Sequence, residues 1–98
     1  MTSKQRAYLK GLAMKEEALL QIGKGGVTPE VTQAAAEALE ARELIKVSVL
    51  QNCTEDVQEI AQTLAERTRS ILVQVIGKKI VLYKEAKDEK KRRIILPA

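Results

Sequence analysis

Histidine, phenylalanine and tryptophan are absent from this 98-residue sequence, and cysteine occurs once, as Cys53. Histidine is the usual general base of serine and cysteine hydrolases and a common zinc ligand, so sites of those kinds are excluded. A lone cysteine forms no internal disulfide and has no second thiol with which to share a metal ion. We therefore expect a protein of a reducing compartment that is not an enzyme and uses no metal or other cofactor.

Long hydrophobic runs are also absent. No segment approaches the roughly 18 consecutive apolar residues of a membrane span, and no apolar signal core follows the polar, basic start. This pattern predicts a soluble, cytoplasmic protein. At 98 residues the chain is long enough for one compact domain and too short for two, so one domain over residues 1–98 is expected. A monomer is the favoured state. Because hydrophobic residues make up 45% of the chain but aromatic residues only 2%, the core must be aliphatic.

Basic and acidic residues are unevenly distributed along the chain. Residues 1–27 and 71–98 together hold 13 basic and 5 acidic residues, whereas residues 28–70 hold 4 basic and 8 acidic residues. Such segregation suits a protein that presents one side to a polyanion and keeps the other side solvated. Many soluble proteins with a basic isoelectric point bind no nucleic acid, so charge alone leaves the question open.

The spacing of apolar residues predicts three helices and four strands. Thr28 is the expected cap of the second helix, because Pro29 suits the first helical position. Glu55 and Asp56 are expected in the first turn of the third helix, where the helix dipole favours negative charge. In chain order the prediction is helix 3–15, strand 18–22, helix from Pro29 to about Arg42, strand 44–50, helix to about Arg69, and strands 71–76 and 80–83.

Two consecutive strand-helix-strand units imply parallel strands, with both crossover helices on one face of the sheet. The predicted fold is a two-layer α/β sandwich with a mixed four-stranded sheet, since the connection after residue 76 fits only an antiparallel hairpin. If the opposite face is uncovered, it should show Gln21, Lys46, Ser48 and Gln74. Residues 85–98 form a charged tail whose apolar end, Ile94–Pro97, could dock on the body.

The stretch Gly23-Lys24-Gly25-Gly26 is the clearest candidate for a binding site. A glycine-rich turn between a strand and a helix lets backbone amides approach an anion, and the helix start adds positive potential. The loop lacks the spacing of a Walker loop or a dinucleotide fingerprint, so a nucleic-acid backbone is the favoured ligand over a nucleotide. The glycines could also serve only to make a sharp turn. Aspartate at both Gly25 and Gly26 is expected to weaken RNA binding while leaving the fold intact.

The first helix should add a basic surface beside this loop. Lys4, Arg6 and Lys10 are predicted to lie on one exposed face of that helix and to contact RNA. Tyr8 and Tyr83 could stack on bases or act as half-buried anchors. With so few aromatic residues, contacts to backbone and shape must dominate, which suits a structured RNA.

Several blocks of the sequence together resemble the CRM domain (chloroplast RNA splicing and ribosome maturation), and in particular its bacterial stand-alone members, the YhbY family. The blocks are Ser3–Leu9, Gln21–Thr28, Ala38–Val47, Val75–Lys78 and Val81–Tyr83. The resemblance implies a fold similar to the C-terminal domain of bacterial translation initiation factor three. It further implies association with ribosomal RNA in precursors of the large subunit. The family's RNA-contact loop corresponds to Gly23–Gly26, and its basic first helix to Lys4, Arg6 and Lys10.

Two other classes of function remain open at this point. A small basic DNA-binding protein, similar in outline to the Alba chromatin proteins, would have a comparable order of strands and helices. An enzyme that uses the glycine loop to hold a nucleotide is the least favoured reading. Competition between RNA and duplex DNA separates the first alternative, because only RNA offers the 2′-hydroxyl and the A-form groove.

Overall fold

The computed structural model describes the whole chain, Met1 to Ala98. Three α-helices and four β-strands follow one another in the predicted order, with a short 3-10 turn near the end. The elements are α1 (Ser3–Ala13), β1 (Leu20–Ile22), α2 (Pro29–Arg42), β2 (Leu44–Val49), α3 (Val57–Thr68), β3 (Ile71–Ile76), β4 (Lys79–Tyr83) and the 3-10 turn (Glu89–Lys91). None of these helices combines the length and the apolar character that a membrane crossing requires.

Each α-helix begins at a side chain that accepts a hydrogen bond from a backbone amide of the first turn. Thr2 and Thr28 cap α1 and α2 in this way. In α3 the cap is Asp56, whose carboxylate accepts from Glu59 N at 3.3 Å. Glu55 therefore lies outside the helix, and the prediction that Glu55 and Asp56 both occupy its first turn is wrong.

The four strands form one mixed sheet in the order β1-β2-β4-β3, as the predicted fold class requires. β1 runs parallel to β2, and β4 lies between β2 and β3, antiparallel to both. The predicted hairpin turns at Gly77 and Lys78. Because β1 and β2 are parallel and Ile22 is paired with Val49, both strands end at the same edge of the sheet. The glycine-rich loop starts at that edge.

The hydrophobic core has two parts, one on each face of the sheet. On one face, α2 and α3 cover strand residues such as Ile45 and Val47, which is the predicted helical layer. On the other face, Leu9 of α1 belongs to a smaller cluster with Val81, against which Ile94 of the tail packs. The docking of the apolar tail end is thus confirmed. α1 and the tail form a partial second layer that the simple two-layer prediction did not include.

α1 covers only part of this second face. The four polar side chains predicted for an uncovered face stay in contact with solvent there: Gln21 is exposed, and Lys46, Ser48 and Gln74 are half-buried. The sheet therefore keeps an open region beside α1.

Glu43, between α2 and β2, is a buried acid that sequence reasoning did not single out. It is 0% exposed and has a left-handed backbone, with φ of 67°. Its carboxylate accepts hydrogen bonds from the backbone amides of Ala86 (2.9 Å), Arg93 and Ile94 (3.0 Å). A buried charge is tolerated when such donors surround it. One side chain thereby fixes the C-terminal tail to the body of the protein.

Replacing Glu43 with Gln should lower the free energy of unfolding by about 1.5–3 kcal/mol, the usual contribution of a hydrogen bond to a charged group. The neutral amide oxygen is a weaker acceptor, and the amide nitrogen cannot accept from a backbone amide. Urea unfolding at neutral pH measures the change. Glu40→Gln is the matched control, because Glu40 also accepts from a tail amide, Lys87 N at 2.6 Å, but at an exposed site. Equal losses in the two variants would contradict the role of Glu43.

The same variant should change the pH dependence of stability. Burial by itself raises the pKa of Glu43, but the three amide donors and the nearby Arg92 outweigh it, so that the pKa lies below 4.5. A carboxyl group with a lowered folded-state pKa stabilises the protein above its unfolded-state pKa, and this contribution disappears as pH falls through the folded-state pKa. The free energy of unfolding should therefore decrease below pH 4.5, and less steeply in Glu43→Gln. Parallel curves for the two proteins would show that Glu43 does not titrate in this way.

Candidate nucleic-acid interface

The glycine-rich loop, Gly23–Gly26, joins β1 to α2 as predicted. Gly26 N donates to Gly23 O at 3.0 Å and closes a tight turn, and the φ of Gly26 is +66°. Lys24 and Gly25 are exposed at the tip, and their backbone amides make no hydrogen bond within the protein. Two free amides and a lysine close to the positive end of α2 are suited to binding an anion.

Hydrogen bonds on two sides hold the ends of the loop. On the β2 side, Leu50 N donates to Ile22 O at 2.8 Å, immediately before the loop. On the α3 side, Arg67 Nη1 donates to Val27 O at 3.1 Å, immediately after it. The loop is therefore tethered at both ends while its tip faces solvent.

Glu55 lies against the loop, a contact that the sequence did not indicate. A Cβ added at Gly26 would collide with the Glu55 carboxylate, whereas a Cβ added at Gly25 would meet only Thr28 Cγ2, at 3.3 Å. The left-handed backbone is thus the reason that the position of Gly26 favours glycine, and a side chain there would also displace the exposed Glu55 carboxylate. Aspartate at Gly26 would be strained by the left-handed backbone, and the expectation that the doubly substituted protein keeps its fold stays a prediction.

The three cations of α1 do not share one face. Since an α-helix turns about 100° per residue, Lys4 and Arg6 point about 160° apart, whereas Arg6 and Lys10, four residues apart, point only about 40° apart. Arg6 Nη1 donates to Leu72 O at 2.7 Å and to Val73 O at 2.8 Å, where β3 bulges. Arg6 therefore ties α1 to the sheet, and the prediction of one exposed basic face is wrong. Lys4 and Lys10 make no ion pair and have no such structural bonds.

The two tyrosines have different environments. Tyr83 is 4% exposed and is a core residue, so stacking on a base is excluded for it, while Tyr8 is 42% exposed. Tyr8 lies in a cleft of about 280 Å³ with Arg42 and Arg93. The cleft is at the start of β2, at the opposite end of that strand from the glycine loop. Sequence reasoning did not bring these two arginines together, because they come from α2 and the tail.

The larger core cluster includes Cys53, and its thiol is buried. The side chain packs with apolar residues of the core. The chain contains no group of three or more potential metal ligands.

These features define a small mixed α/β module that presents an exposed glycine-rich loop at one edge of its sheet. The model of the CRS1 / YhbY (CRM) domain family matches residues 1–84. The chain therefore belongs to the CRM domain family, and the resemblance seen in the sequence is confirmed.

Similar proteins are known from several bacteria. YqeI of Bacillus subtilis, named a probable RNA-binding protein, is 53% identical over 90 residues, which cover 92% of this chain and 94% of YqeI. A protein of Haemophilus influenzae named RNA-binding protein is 34% identical over 90 residues, which cover 92% of this chain and 91% of that protein. The solution structure of the hypothetical protein SAV1595 from Staphylococcus aureus, a proposed RNA-binding protein, has a TM-score of 0.80 at 49% identity and covers 99% of both chains.

Gly26→Ala should lower the free energy of unfolding by about 1–2 kcal/mol from its left-handed backbone alone, with a further loss from the contact with Glu55. Gly25→Ala is the control and should change stability by less than about 0.5 kcal/mol, because its backbone is not left-handed. Urea unfolding of both proteins gives the comparison. In a Glu55→Ala background the penalty at Gly26 should become smaller but persist. Equal stability of the two alanine variants would show that Gly26 is not constrained.

Proposed function

We propose that this protein binds structured RNA and that the Gly23–Gly26 loop contacts the sugar-phosphate backbone. The observation that carries the proposal is the pair of free, exposed amides at Lys24 and Gly25 beside the start of α2. Contacts of this kind position a protein on a nucleic acid without reading its sequence. The names of the similar proteins from Bacillus subtilis and Haemophilus influenzae refer to RNA binding, which supports RNA as the ligand.

The proposed RNA is ribosomal RNA in precursors of the large subunit, bound in the cytoplasm by a monomer that performs no catalysis. Membership of the CRM family supports this finer assignment, since the resemblance of the sequence implies it. The exposed surface supports it as well: Tyr8 is the only exposed aromatic residue, so extended base stacking is not available. Recognition then depends on backbone and shape, which folded RNA provides.

Gly25→Asp should weaken binding of a fluorescein-labelled RNA stem-loop about tenfold or more. The aspartate carboxylate repels the phosphate, so the hydrogen bond from the backbone amide to the phosphate is lost. Fluorescence anisotropy titration measures the affinity. Gly25→Ala adds the same Cβ without the charge and should bind almost as well as the parent. Equal affinities of the Asp and Ala variants would exclude the loop as the contact. Stronger competition by duplex DNA than by unlabelled RNA would favour the DNA-binding alternative.

In a cell extract fractionated by sedimentation, the protein should travel with precursors of the large ribosomal subunit rather than with mature ribosomes. A module that recognises backbone and shape loses its site once ribosomal proteins cover the RNA. The association should weaken as salt rises, because phosphate contacts release counterions. Gly25→Asp should shift the protein toward the top of the gradient. Sedimentation with the small subunit would contradict the assignment.

A further inference from the structure

The open region of the sheet beside α1 carries two rows of side chains across the strands. The first row runs from Gln21 on β1 to Ser48 on β2 and Lys79 on β4, which are paired in register. In the second row, Lys46 on β2 is paired with Val81 of β4, which is paired in turn with Gln74 of β3. We refer to the polar side chains of these rows as the open face; they are Gln21, Lys46, Ser48, Gln74 and Lys79.

A basic groove runs along the open face. Lys46 and Lys79 line a cavity of about 130 Å³ together with Lys10 of α1, and no carboxylate lines it. The rest of the lining is Gln74 and four apolar residues: Ala13, Met14, Ile76 and Val81. Lys79 Nζ donates to Ser48 Oγ at 3.1 Å, and none of the three lysines forms an ion pair. Three lysines without an ion pair, in a groove that no carboxylate lines, fit a polyanion better than a cationic partner.

The open face is continuous with the glycine loop. Gln21 begins the first row and is separated from Gly23 by a single residue. Neighbouring strands lie about 4.8 Å apart, so that the row from Gln21 to Lys79 spans roughly 10 Å. A polymer chain held at the loop can therefore reach the groove over a short distance.

The opposite side of the loop carries the reverse charge. A cleft of about 230 Å³ between the loop and α3 is lined by Gly25, Glu55 and Glu59, and its single cation is Arg67. Arg67 already donates to Val27 O. Phosphates at the loop are thus repelled on the α3 side and attracted on the sheet side.

We propose that the bound RNA strand leaves the glycine loop on the sheet side and follows the open face toward Lys10, with its phosphates contacting Lys46 and Lys79. This path rests on the proposed function and deepens it, because it assigns a second contact surface. Lys10 takes part in binding from the groove, rather than as a member of a basic face of α1.

The test compares two double variants that remove the same charge. Lys46→Gln/Lys79→Gln should weaken binding of the RNA stem-loop and reduce the slope of log affinity against log salt by about 1.4 to 1.8, since each phosphate contact contributes about 0.7 to 0.9. Lys90→Gln/Lys91→Gln is the control, because both lysines are exposed on the 3-10 turn, which packs on α2 away from the open face. Its salt slope should be unchanged. Lys10→Gln should reduce the slope by about half as much as the Lys46/Lys79 pair.

The outcomes separate this path from the loop hypothesis. If Gly25→Asp weakens binding but the Lys46/Lys79 and Lys90/Lys91 pairs behave alike, the path is wrong and the loop contact stands. If the parent protein does not bind the stem-loop, both proposals fail. Glu55→Gln should bind RNA as well as or better than the parent at low salt, and weaker binding would place the strand on the α3 side. Urea unfolding of each variant establishes that the fold is intact.

Discussion

The parallel pairing of β1 with β2 is the constraint on which the candidate site depends. β1 has only three residues, and its register sets Gln21 beside Ser48 and Ile22 beside Val49. A shift of one residue would exchange the faces of these side chains, turning Ile22 toward solvent and Gln21 into the core. The apolar contacts of Ile22 therefore hold the polar row and the glycine loop in place together. A very short strand is sufficient because Leu50 N extends the ladder to Ile22 O.

Much of the fold could be predicted from neighbouring residues along the chain. Thr28 and Pro29 define the start of α2 locally, and the alternation from Ile45 to Val49 defines a strand. The role of Glu43 could not be predicted, because its carboxylate binds amides 43 to 51 residues further along the sequence. Its left-handed backbone is also atypical for a glutamate. The cover that α1 and the tail provide for the second face also depends on long-range contacts, those of Glu43 with the tail and those of Arg6 with β3.

The candidate site likewise has a part that neighbouring residues predict and a part that depends on distant contacts. The glycine loop was predictable because its residues are consecutive and its chemistry is that of the backbone. The basic helix was predicted less well: a cation count does not reveal that Arg6 is bound to carbonyls at a strand bulge 66 and 67 residues away. Glu55 likewise meets Gly26 only after α3 has folded against the loop. Charge segregation along the sequence suited a polyanion partner but left the question open, and only the sheet register shows on which side of the loop the lysines lie.

An NMR titration of isotope-labelled protein with the RNA stem-loop tests the central claim most directly, since it reads each backbone amide separately. The largest chemical-shift changes are expected at Lys24 and Gly25, whose amides are free in the structure, with smaller changes along the open face. Shifts confined to the cleft of Tyr8, Arg42 and Arg93, with the loop amides unchanged, would contradict RNA binding by the glycine loop.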